Sequence, residues 1–195
     1  MGDPRLVKRL GWRVRLLLVW TGWGCEASPP LAPPLGCGAE EKMAPLLSAQ
    51  HVPIGTSITW NAEPPSSGQH YGVWAAFKEH STPVPRGYYV HDLEHGAVVL
   101  VYNCDRLAPG LPCASVVQGL RDAAAAIPSD PICAAPVRVR VVISPDPLLP
   151  RVVGAAAWGH SYLADCVDAA SLTRFATRYY GMGPESLCAD GVSTF

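Results

Sequence analysis

The 195-residue sequence predicts an α+β fold, a two-layer sandwich in which a sheet of about four strands carries two helices on one face. Three observations carry this expectation. Apolar, β-prone runs recur at 54–60, 97–102, 137–143 and 152–158. Two further segments, 115–126 and 168–180, place apolar residues at helical spacing. Composition sets the bounds: 49% hydrophobic residues is too many for a disordered chain, and 18 Gly with 20 Pro is too many for a helical bundle.

Each element has its own local reason. Residues 54–60 alternate β-formers and read as a first strand, and 88–90 as a short extended segment. Residues 97–102 form an unbroken apolar run, which predicts a buried central strand. In 115–126, Val116, Leu120 and Ala123 or Ala124 share a face, and Pro128 follows the helix end. Residues 137–143 alternate Val with Arg138 and Arg140, as a half-exposed strand does. Pro145, Pro147 and Pro150 turn the chain toward a strand at 152–158. In 168–180, Leu172, Phe175, Ala176 and Tyr179 share a face, and Gly181 ends the helix. Residues 61–96 are left as a loop of about 36 residues, a length that in a compact domain is usually functional. It holds His70, His80, His91 and His95, four of the six histidines.

The N-terminus has the pattern of an export signal. Arg5, Lys8, Arg9, Arg13 and Arg15 precede a short apolar core from Leu16 to Trp20 and then small residues. Residues 1–24 are therefore expected to be a signal peptide, 25–50 a Pro/Ala/Gly-rich linker, and 51–190 a single domain. Gly24-Cys25 resembles the end of a bacterial lipoprotein signal, in which the cysteine is lipidated, although Gly22 stands where Leu is usual. Cleavage after Ala27 is the alternative. Either route predicts an extracytoplasmic protein, and the first a lipid anchor at Cys25 as its only membrane attachment. The formal net charge of −1 gives no basic footprint, so no nucleic-acid partner is expected. Six cysteines remain beyond Cys25, an even number that suits up to three disulfides in an exported chain. Cys104–Cys113, across Pro109-Gly110, and Cys166–Cys188 are the pairings the spacing suggests.

His91-Asp92-Leu93-Glu94-His95 is the sharpest motif. It has the letters of the inverted zinc-peptidase pattern. However, Gly96 and a strand-forming run follow at once, which leaves room for little more than one helical turn. His91 and His95, at i and i+4 on such a turn, face the same side. Neutral imidazoles suit Zn, Cu or Ni. His70 or His51 supplies a third ligand in this reading, and Glu94 either binds the ion or orients a ligand histidine. The leading expectation is a module that binds Zn or Cu through His70, His91 and His95 with Glu94 assisting. A metal-dependent hydrolase with Glu94 as general base is the second. In the third, an interaction domain, the histidines only brace the loop through bonds to carbonyls. His80 is expected to be solvated and His160 an ordinary satisfied histidine. Trp60, Trp74 and Trp158 read as core, with Trp74 and Tyr71 as a possible wall of a shallow site. Ser66 and Ser67 lack the strand–turn–helix of a nucleophile elbow.

Pro64-Pro65-Ser66-Ser67-Gly68-Gln69-His70-Tyr71, then Val90 through Val99, then Tyr102-Asn103-Cys104, together resemble the bacterial domain-of-unknown-function family 3105. The segments Val142-Ile143-Ser144-Pro145, Ala157-Trp158-Gly159 and Gly183-Pro184-Glu185 are similar to its later blocks. A related segment occurs in a vertebrate p53-inducible membrane protein. The resemblance spans about residues 51–188. It implies an exported or membrane-anchored protein with no established activity, and it marks His70, His91, Glu94 and His95 as motif positions.

Overall fold

Val98 to Val101 are wholly buried, as an unbroken apolar run requires, and the structure is arranged around them. The computed structural model describes residues 36–195; the expected signal segment and Cys25 lie outside the described residues. In chain order the elements are β1 (Glu40–Met43), β2 (His51–Val52), β3 (His70–Tyr71), α1 (Arg86–Glu94), β4 (Val98–Tyr102), α2 (Cys113–Ala125), β5 (Val141–Pro145), β6 (Val153–Ala157), β7 (His160–Ala164) and α3 (Ala169–Tyr179). Five strands form one sheet in the order β1-β7-β6-β4-β5, and β2 and β3 form a separate two-stranded ladder. β4 and β5 run parallel, and α2 lies in the crossover between them. The other neighbours in the large sheet are antiparallel.

Alternate residues of β4 face opposite cores. Val98 and Leu100 pack with Val116 and Leu120 of α2 and with Leu172 and Phe175 of α3. Val99 and Val101 face the other way, among Tyr89, Val90 and Leu93 of α1. Both faces are therefore covered, where the sequence predicted four strands with helices on one face only. β7 has no counterpart among the expected elements, and neither has α1, in which residues 88–90 are helical rather than extended. Its residues from Tyr89 to Glu94 are all buried. A helix buried all round has no polar stripe, so no 3.6-residue alternation marks it.

Other differences have local causes. No strand forms at 54–60; Gly55 turns at φ +87° and Ile54 is 63% exposed. Residues 40–43, within the expected linker, instead supply edge strand β1 against β7. Arg140 is buried rather than on an exposed strand face, and it pairs with Asp130 at 2.9 Å. Arg138 reaches Ala124 O at 2.8 Å and so satisfies a carbonyl of the last turn of α2. The strand accordingly starts at Val141. The helices α2 and α3 fall within a few residues of expectation, and Asp168 caps α3 by accepting from the N–H groups of Ala170 and Ser171.

Among the described residues three disulfides are formed: Cys37–Cys166, Cys104–Cys113 and Cys133–Cys188. The second is the pairing the spacing suggested. Cys166–Cys188 is not formed, because Cys166 lies against the segment that leads into β1 while Cys188 lies beside Cys133. The C-terminal tail also crosses the end of α1. Gly181 N–H donates to Gly96 O at 2.8 Å and Glu185 N–H to Glu94 O at 3.0 Å. A Cβ on Gly183 would stand 2.3–2.6 Å from backbone atoms of Gly96, Glu94 and Leu93. Backbone cannot yield as a flexible side chain does, so Gly183→Ala is expected to destabilise the protein by roughly 1–3 kcal/mol. A lower urea midpoint with an unchanged denaturant slope checks this.

Candidate functional site

Two short structures bring distant histidines together. In the β2–β3 ladder His51 is the register partner of His70, so the two side chains stand side by side. α1 supplies His91 and Glu94 and stops in a Schellman motif: Ala97 N–H donates to Asp92 O and Gly96 N–H to Leu93 O, each at 3.0 Å. Gly96 provides the left-handed conformation this needs, at φ +81°. The ring centroids of His51, His70 and His91 form a near-equilateral triangle with sides of 4.9, 4.7 and 4.7 Å. Glu94 Oε2 lies near all three rings, 3.0 Å from His70 Nε2, 3.7 Å from His51 Nε2 and 3.9 Å from His91 Nε2.

The backbone fixes which ring nitrogens are free. His70 Nδ1 is 2.8 Å from Gly68 O and His91 Nδ1 is 2.7 Å from Tyr71 O. A carbonyl only accepts, so both Nδ1 atoms carry the proton and both Nε2 atoms of the neutral rings keep free lone pairs on the side of Glu94. His70 Nε2 is buried without a hydrogen-bond partner among the described residues. Of the expected residues, His70, His91 and Glu94 thus converge, joined by His51. His95 turns to a neighbouring group, its Nε2 3.2 Å from Glu185 Oε2. Trp74 lines the site rather than filling the core, with its ring 5.2 Å from His91 and 4.7 Å from His95. Trp158 stands edge-on to His70 at 6.4 Å. His80 is buried rather than solvated and bonds Ala76 O through Nε2. His160 stacks on Tyr179 with ring centroids 3.9 Å apart. Glu185 was missed as a site residue because nothing in its own neighbourhood marks it; only its place in the Gly-Pro-Glu block set it apart.

Burial sets the electrostatics. Desolvation pushes His91 and His95 down to about 4 and lowers His70 as well, so the imidazoles stay neutral with lone pairs available. Desolvation, reinforced by Glu185, raises Glu94. The donor atoms of His51, His70, His91 and Glu94 lie within 4.8 Å of one another, as do those of Glu94, His95 and Glu185. Three imidazole nitrogens and a carboxylate are the donor set of a borderline divalent ion.

An α/β domain with three disulfides and a largely buried His/Glu cluster is the class this defines. A family model described as a protein of unknown function (DUF3105) matches residues 51–190, and the chain belongs to that family. No curated protein and no solved structure matches the chain.

The lowered histidines make stability depend on pH in the metal-free protein. Unfolded imidazoles take protons near 6.5, and folded His91 and His95 only near 4. Their contribution is complete above about 6.5 and is lost as the pH falls toward about 4. The raised Glu94 opposes part of this. Between these limits the urea midpoint, measured with chelator present, is expected to fall more steeply with acidification in the wild type than in His91→Gln. Equal slopes would refute the assignment.

Proposed function

We propose that this protein is an exported domain that binds a divalent transition metal ion, Zn or Cu, through His51, His70, His91 and Glu94. One observation carries the reading: the Nδ1–H groups of His70 and His91 are held by backbone carbonyls, which leaves both Nε2 lone pairs free beside the Glu94 carboxylate. This is how ligand histidines are oriented around an ion. A buried nitrogen without a partner, as at His70 Nε2, costs roughly 1–3 kcal/mol, and a metal bond would remove that cost. Three imidazoles and one carboxylate complete a tetrahedral set for Zn and suit Cu equally. Glu94 stands among the ligands here, which favours an ion-binding role for it over that of a general base. His51 is half-exposed and marks the side from which an ion enters.

Export supports an oxidising setting for this site. Three disulfides fit an extracytoplasmic location, and no described helix is long and apolar enough to cross a membrane. Residues 1–24 as signal peptide and Cys25 as lipid anchor belong to the same proposal.

The bonds to Gly68 and Tyr71 also brace the loop against α1, which favours a second reading in which the histidines are structural. His51 separates the two. It makes no such bond among the described residues, so a bracing role does not need it. The full chain, exported to a bacterial periplasm and purified without a histidine tag, is expected to retain at least one equivalent of Zn or Cu by elemental mass spectrometry. His51→Ala is expected to lose most of the metal while the metal-free melting temperature is unchanged. A wild type that stays metal-free after Zn and Cu are added back would overturn the proposal.

A further inference from the structure

We infer that the centre holds two ions, with Glu94 bridging the ion proposed above to a second ion bound by His95 and Glu185. The inference rests on that reading and extends it. Glu94 belongs to both donor groups, and each group lies within 4.8 Å. One carboxylate has two oxygens, which lets it serve two ions about 3.5–4 Å apart, as in two-metal sites.

His95 is placed as a ligand would be. Its ring is 2% exposed and lies between Trp74 at 4.7 Å and His91 at 4.6 Å. Its backbone is fixed by the helix stop, and Arg140 donates to its carbonyl. Nδ1 is buried without a hydrogen-bond partner among the described residues, so, unlike in His70 and His91, no carbonyl fixes the proton on it and either ring nitrogen can serve as the donor. Nε2 faces the Glu185 carboxylate at 3.2 Å. Glu185 is held there although its side chain is 58% exposed, because its N–H donates to Glu94 O and the tail is seated at Gly183.

Charge points the same way. Glu94 and Glu185 bring two negative charges beside neutral rings, and they repel each other. Arg140, which packs nearby, is held in an ion pair with Asp130 and donates to the His95 carbonyl, not to either glutamate. A divalent cation between the two carboxylates removes the repulsion. One imidazole and two carboxylates make a harder set than the His-rich one, and Glu185 leaves that side open to water. The second ion is therefore the weaker and the more labile.

The test uses the full chain, stripped with chelator and titrated with Zn by calorimetry, with bound metal counted after equilibrium dialysis. The wild type is expected to take two equivalents, the second at least tenfold weaker, and Glu185→Gln is expected to keep only the tight one. Loading with two equivalents of Cu(II) adds a readout of the bridge: coupling through Glu94 reduces the spin signal per copper in the wild type, and Glu185→Gln with one copper gives the full uncoupled signal. A wild type that saturates at one Zn, a Glu185→Gln variant that still takes two, or two coppers with full uncoupled signal would overturn the second ion alone. No Zn bound at all would overturn the first reading with it.

Discussion

The reversal of the chain at Gly96 is the constraint on which the site depends. A left-handed residue there ends α1 within one step and sends the chain directly into β4. The last turn of the helix is thereby pinned to a buried central strand of the sheet. His91, Glu94 and His95 inherit that rigidity, because Asp92 and Leu93 carbonyls are closed by the two motif bonds. Arg140 from the approach to β5 and the tail at Gly181–Glu185 then close on the same reversal from outside.

Burial of charge is the second organising theme. α1 begins at Arg86, which pairs with Glu63 and Asp146, and continues through Asp92, whose carboxyl burial raises well above the ordinary range. Asp92 accepts from Ala75 N–H at 3.3 Å and ties the loop before α1 to the helix. The long segment 61–96 is thus packed rather than slack, with Pro64 through Gly68 buried. A dry surround strengthens each electrostatic interaction within it. It also explains why neutral imidazoles and a carboxylate of raised pKa persist together at the centre.

Elements whose burial shows as a stripe or an unbroken apolar run were legible in the sequence. α2 and α3 show their apolar stripes, and β4, β5 and β6 show their β-branched or small apolar runs. α1 was not legible, since it is buried on all sides, nor was β1, whose Glu-Glu-Lys-Met sequence reads as solvent-facing and belongs to a sheet edge. β2 and β3 are two residues each, too short for any period to register.

Residue order is enough to read the family, the parity of the six described cysteines, and a motif in which a histidine, a glutamate and a second histidine share one helical turn. These are local properties: they depend on residue type and spacing over a few positions. Folding brings His51 to His70 and His91, turns His95 to Glu185, and gives Cys37 and Cys133 the partners they have. Those pairings cross from 19 to 129 residues of chain. They are settled by strand register and by the close seat of the tail on the backbone of α1, which no local pattern encodes.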